Sequence, residues 1–193
     1  MTSYTDLQLD ALRELANIGS GTAAAALSTL LGRPVDIDVP VAAAMPLEDA
    51  VAAAGDPAAE RYGVLVPIRG DLEASVVMLI PTEDAQMLCG VFGVDPESED
   101  GRSALGEFGN ILGTSYVNAL GQMCGMEMEP DPPAVVHDML AAILTSVLLA
   151  RGDIDVALVL DSALQVEGED CSLAFLLLPE PGGVETMLDR LGV

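Results

Sequence analysis

Lysine and tryptophan are absent from this chain, and histidine occurs once, at His137. Each scarcity excludes something. With three Phe and three Tyr, the core has to be built from Ala, Val, Leu, Ile and Met. A single histidine rules out any metal site or catalytic triad that needs two, and alone it reads as an incidental residue at a helix start. The three cysteines, Cys89, Cys124 and Cys171, are far apart, odd in number and without C-x-x-C spacing. That pattern predicts small buried thiols in a reducing compartment.

Positive charge is the largest deficit. Seven arginines face 31 Asp and Glu, for a net charge of −24. Such a surface repels phosphate backbones and anionic lipid, which argues against nucleic-acid or membrane-surface binding. It also predicts a halophilic setting, a cytoplasm of high salt in which screening shrinks to a few Å. The start is polar and acidic, unlike a secretory leader. The longest apolar run, 139–150, is too short to span a bilayer. The expectation is a soluble, cytoplasmic protein with no membrane insertion.

Half of the 193 residues are hydrophobic, enough for one domain of ordinary size or two small halves sharing a core. A first helix, capped by Thr5 or Ser3, is expected to run to about Leu31, where Gly32 and Pro34 stop it. Val35–Val39 alternates as a strand that ends or kinks at Pro40, and Pro46–Ala54 reads as a short helix. Tyr62–Ile68 and Glu73–Ile80 form a hairpin, followed by a helix capped by Thr82 and ending at Gly93. Residues 94–101 form an acidic connector. The order then repeats: a long helix from about Ser103 to Cys124, an extended Pro-rich stretch over 126–136, a helix over 139–150, a hairpin of Asp155–Val166 with Cys171–Leu178, and a last helix from Gly183 to Leu191. The fold class is mixed α/β (α+β), a single domain of two helix-strand-helix-hairpin-helix units, about 1–97 and 98–193, related by a pseudo-twofold.

The first helix carries a polar stripe opposite its apolar one. At about 100° per residue, Glu14 and Asn17 stand roughly 60° apart with Asp10 nearby. Leu12, Ala16, Gly19, Ala23, Ala26 and Leu30 form the apolar series. A lone E-x-x-N is most simply a solvated face. Displacement by 93, however, carries Asp10 to Ser103, Glu14 to Glu107, Asn17 to Asn110, Ile18 to Ile111 and Pro40 to Pro133. The apolar stripe moves with them, to Leu105, Gly109, Leu112, Tyr116, Ala119 and Met123. An exposed Asn inside a helix gives up propensity without a packing return. The repeated [DS]-x3-E-x2-N-x22-P pattern therefore points to function.

On these two signatures, including Asn17-Ile-Gly-x-Gly and Glu107-x-x-Asn-Ile, the chain resembles the CheC family of chemotaxis phosphatases, related to CheX and FliY. The resemblance covers nearly the whole chain and is to the two-site CheC type. It implies an antiparallel sheet with the motif helices packed on it in pseudo-twofold symmetry. It also implies hydrolysis of the aspartyl phosphate of a CheY-type response regulator. Glu14, Asn17, Glu107 and Asn110 would be catalytic, with Asp10, Pro40, Ser103 and Pro133 supporting the motif. This chain would bind no cofactor or metal, and Mg²⁺ would be carried by the regulator.

The residue types suit that task. An acyl phosphate needs mainly a water held in line and charge stabilisation at phosphorus. An amide cannot serve as a base but can hold a water, the role open to Asn17 and Asn110. Glu14 and Glu107 either dock on a cation of the regulator or act as general bases. One site alone could be active, since Ser103 stands for Asp10 and Leu112 for Gly19. The alternative is an adaptor that binds the receptor deamidase CheD, for which the helix from about His137 to Arg151, or Pro46–Ala54, offers a surface.

Overall fold

The computed structural model describes residues 5–151, 154, 156–166 and 169–193. The first helix, α1 (Asp6–Leu31), begins at a reciprocal cap. Thr5 Oγ1 accepts the Gln8 N–H while Gln8 Oε1 accepts the Thr5 N–H, which satisfies two donors that a helix start leaves unpaired. It ends on Gly32 at φ 64°, a left-handed turn that glycine adopts without a Cβ clash. The matching helix, α4 (Glu99–Cys124), has the same 26 residues. Ser98 caps it and Gly125 closes it at φ 63°. The displacement of 93 read in the motif therefore holds for both ends of both helices.

Between and after them lie β1 (Val35–Pro46), α2 (Leu47–Ala53), β2 (Glu60–Gly70), β3 (Ala74–Pro81), α3 (Thr82–Val91), β4 (Met128–Pro130), β5 (Ala134–Met139), α5 (Leu140–Arg151), β6 (Val156–Val166), β7 (Glu169–Pro179) and α6 (Gly183–Leu191). All strands pair antiparallel in one sheet of order β1-β6-β7-β3-β2-β4, with β5 also on β2. Exchanging β1 with β5, β2 with β6 and β3 with β7 returns the same order read from the other end. The pseudo-twofold thus passes between β3 and β7. Each repeat lends its first strand to the other repeat's hairpin, β1 to β6 and β5 to β2.

Helices cover both faces of the sheet. On one, α1, α4, α3 and α6 enclose the larger core with Val64, Val66, Met78, Leu160 and Phe175. On the other, Ala50 of α2 and Leu140, Ile143, Leu144 and Val147 of α5 pack on Val77, Leu79, Val159 and Leu176. Strand β3 is buried from Ala74 to Ile80 because both of its faces are covered.

Several boundaries differ from expectation for physical reasons. β1 does not stop at Val39. It continues to Pro46 through a register shift between Asp38 and Val41, because ladder bonds to β6 hold a segment whose alanines have little strand propensity. Thr82 does not cap α3. The strand runs straight into the helix at Pro81, and the Thr82 hydroxyl donates instead to the Glu60 carbonyl at 3.4 Å. α3 ends at Val91, with Gly93 at φ 70° just beyond. α4 starts at Glu99 rather than Ser103, since Ser98 Oγ accepts the Gly101 N–H at 3.0 Å and two acidic residues favour the first turn. Met139 closes strand β5 instead of opening a helix. The expected Ser3 cap and Asp155 strand start lie outside the described residues.

Candidate functional site

α1 and α4 lie side by side and antiparallel. Leu31 borders one small void with Leu105 and Phe108, Gly19 meets Tyr116, and Leu12 and Leu15 border another void with Val117 and Leu120. A Cβ at Gly19 would overlap the Tyr116 ring, so this glycine belongs to helix packing and not to the polar face. Tyr116 also packs on Phe175 with ring centroids 4.6 Å apart. The void between these helices and the sheet measures about 20 Å³ and is lined by apolar side chains such as Leu12, Tyr116 and Phe175. It lacks the polar groups that would orient a ligand.

The four motif side chains point the other way. Glu14, Asn17 and Glu107 are exposed and Asn110 is half-buried. None of the four side chains is engaged by a hydrogen bond or ion pair from another described residue. The helix ends that neighbour one another place the two asparagines roughly 12 Å apart along the axis, from a rise of about 1.5 Å per residue. The two E-x-x-N faces therefore open on the outer side of the same helical layer, toward opposite ends.

The supporting positions divide. Asp10 is exposed and accepts from Arg13 Nη1 at 2.7 Å, a surface pair worth about 0–1 kcal/mol. Ser103 is exposed. Pro133 immediately precedes β5, and its Cγ would lie 3.8 Å from a Cβ at Gly106, beside Glu107; it braces the edge strand against α4. Pro40 falls within the register shift of β1. The apolar stripe of α4 is buried as far as Ala119, with Met123 half-buried. In α1 Leu12, Ala16, Gly19 and Ala23 of the expected stripe are buried together with Leu15, Ser20, Leu27 and Leu31, while Ala26 is half-buried and Leu30 stays 37% exposed.

His137 is the clearest correction. It is no helix-start residue. It sits in β5 opposite Tyr62, its ring stacked on Tyr62 at 4.1 Å and 3°, and its Nδ1 lies 2.6 Å from Glu97 Oε1. The Tyr62 hydroxyl donates to the same oxygen, and Arg102 Nη2 lies 3.5 Å from Glu97 Oε2. Burial, then the Glu97 bond, pushes the Tyr62 phenol up. The Tyr62 hydrogen bond, followed by the charge of His137, holds the Glu97 carboxyl below its usual range. No sequence signal brings residues 62, 97 and 137 together. The cluster ties the α3–α4 connector to the sheet edge just ahead of the second motif. The cysteines are buried and free, as expected, and burial pushes the Cys171 thiol up to about 12.

Two open carboxylate-amide faces, repeated on paired helices over a symmetric antiparallel sheet, define a protein with duplicate surface sites. A sequence model of the CheC-like family matches residues 7–43 and 101–137, one motif in each stretch. CheC of Bacillus subtilis, a CheY-P phosphatase, is 30% identical over 96% of this chain and 94% of its own. The fold matches FliY of Thermotoga maritima with a TM-score of 0.80 at 22% identity, covering 99% of this chain and 98% of that one. It also matches the CheX–CheY–BeF3–Mg complex of Borrelia burgdorferi, at a TM-score of 0.51 and 13% identity over 87% of this chain and 97% of that one. The chain belongs to the CheC family. Among the described residues, no helix is long and apolar enough to cross a membrane.

Proposed function

We propose that this single two-repeat domain hydrolyses the aspartyl phosphate of a CheY-type response regulator in chemotaxis signalling. One observation carries the reading: the same unengaged E-x-x-N face occurs twice, on helices of equal length that each start at a hydroxyl cap and end at a left-handed glycine, at the surface of a chain in the CheC family. The B. subtilis relative, named a CheY-P phosphatase, supports it.

The chemistry follows from what an amide and a carboxylate can do at an open surface. The amide of Asn17 or Asn110 enters the regulator's site and holds a water in line with phosphorus. The water oxygen bonds to phosphorus as the bond to the aspartyl oxygen breaks, leaving a free carboxylate and inorganic phosphate. Glu14 or Glu107 docks on a cation beside the phosphoryl group and fixes the approach. The Mg²⁺ that neutralises the phosphoryl oxygens belongs to the regulator in this reading. A cytoplasm of high salt screens the repulsion between an anionic substrate and an acidic enzyme to a few Å.

Replacing both Asn17 and Asn110 by Ala is expected to lower phosphate release from phospho-regulator by at least about 100-fold, with each single variant retaining the other site's activity. Full activity in the double variant would overturn the assignment. For Glu14→Gln with Glu107→Gln, docking predicts a raised KM at nearly unchanged kcat, whereas a general base predicts collapse of kcat.

A second reading, an adaptor for the deamidase CheD, draws on α5. Its inner face is core, yet Leu149 is 83% exposed and the adjoining Met139 is 49% exposed. A pull-down of the deamidase by the double Asn variant separates binding from catalysis.

A further inference from the structure

Beside Glu107 lies a groove that the hydrolysis itself does not require. Leu30 at the end of α1, Phe92 and Val94 of the α3–α4 connector and Ala104 of α4 form its apolar walls, and Asp100, Ser103 and Glu107 form its polar rim. It encloses about 300 Å³, the bottom of the range for small-molecule clefts (about 300–1,000 Å³) and ample for an inserted side chain. Phe92 is 40% exposed and Leu30 37%. On a chain of net charge −24 with three phenylalanines, apolar side chains left in water beside a motif call for an occupant.

The walls are held in place. Glu97 N donates to Asp95 Oδ1 at 2.9 Å, and Ser98 Oγ donates to the Asp95 carbonyl at 2.5 Å. A Cβ at Gly101 would overlap that carbonyl, so the connector lies directly on α4. Tyr62 and His137 grip Glu97 from the sheet. On its inner side Phe92 lines, with Leu31, Leu88 and Cys89, a void of only about 10 Å³. The groove is thus preformed.

We propose that this groove receives an apolar side chain of the phosphorylated receiver domain, next to the aspartyl phosphate presented to Asn110. The inference rests on the function proposed above. The groove shares Ser103 and Glu107 with the second motif, and helix positions three or four apart stand about 5–6 Å from one another. A protein seated with its phosphoryl group at Asn110 therefore covers the groove. At molar salt, where the Debye length falls to about 3 Å, charge contributes little affinity and apolar insertion persists. The residues around the first motif differ. At the first, the displacement of 93 puts the half-buried Met123 in the place of Leu30 and the exposed Leu7 in the place of Asp100.

The test uses the full chain in molar salt, with catalysis at the first site disabled by Asn17→Ala and docking there by Glu14→Arg. Phospho-receiver is the substrate, and the beryllofluoride-Mg²⁺ form of the receiver is the binding probe. Phe92→Asp and Leu30→Asp are each expected to raise KM and Kd at least about tenfold with little change in kcat, as loss of an interface anchor does. Phe92→Leu restores both. Unchanged KM and Kd would overturn the proposal, and so would a rise of equal size in the reciprocal Asn110→Ala background, which would trace the effect to damaged folding. Loss of self-association by sedimentation, with receiver affinity intact, would assign the groove to a second copy of this chain and overturn it too. Full turnover by the Asn17→Ala, Asn110→Ala double variant would sink the catalytic reading instead, and the receiver titration would still decide the groove.

Discussion

The two motif helices agree at the Glu and Asn of the motif and differ at several of the positions where they pack. Both present Glu, then Asn one turn on, and both are bounded by a hydroxyl cap and a left-handed glycine. Their inner faces differ. α4 carries Gly109 against Val64 and Met78, and Gly113 near Val66 and Val76, so its backbone comes down close to the sheet. α1 instead yields space to its neighbour, with Gly19 under the Tyr116 ring. The positions equivalent to Gly19 and Tyr116 are Leu112 and Ala23, both buried. Each crossing thus pairs one large with one small residue, with the sizes exchanged. A common outer face over divergent inner ones is what a surface site on a duplicated scaffold requires.

That comparison can be broken at its crossing. Gly19→Leu installs the second helix's residue in the first, and is expected to destabilise by about 3 kcal/mol through overpacking against Tyr116. Adding Tyr116→Ala recreates the opposite pairing and should recover much of the loss. Urea unfolding of the single and double variants in molar salt measures both, and an additive result would refute the size-exchange account.

A smaller effect is expected at the clasp beside the second site. The folded-state carboxyl of Glu97 is depressed, so its contribution is present above the unfolded carboxylate pKa and is lost as pH falls through the folded value. Glu97→Gln should lower Tm at neutral pH, and its gap from the unmodified chain should close on acidification. A gap independent of pH would show that the clasp is not ionic. On the alkaline side the raised Tyr62 phenol works in the opposite sense. Stability falls as pH climbs past about 10, where the unfolded tyrosine ionises first, and Tyr62→Phe removes that slope.

The smallest change expected separates the two glycines of the first motif. Gly21 is exposed, and a Cβ there would meet nothing within 4 Å. Gly21→Ala should therefore stabilise the chain by about 1 kcal/mol, the reverse of Gly19→Leu. A loss on thermal melting would show that Gly21 serves the fold.

Much of this architecture was legible because it is local. The Gly32 stop of the first helix, the end of the second long helix at Cys124 and the 183–191 helix are statements about a few consecutive residues, and they hold to the residue. What misled was context. The alanines after Pro40 are strand only because β6 lies alongside them. Thr82 is not a cap because β3 leaves no loop before α3. Leu30 fits a helical stripe by spacing, yet the buried face has by then moved to Leu27 and Leu31.

The sequence by itself determined the duplication, the two E-x-x-N faces, the glycine stop of the first helix and the acidic, lysine-free composition, since each depends on residue identity and on periodicities of a single turn or strand. Only the tertiary structure decided that the repeats exchange their first strands, that Tyr62, Glu97 and His137 meet, and that Leu30 and Phe92 stand open beside Glu107. Those facts join positions dozens of residues apart, and their proximity is set by how the sheet closes and which face each helix lays on it.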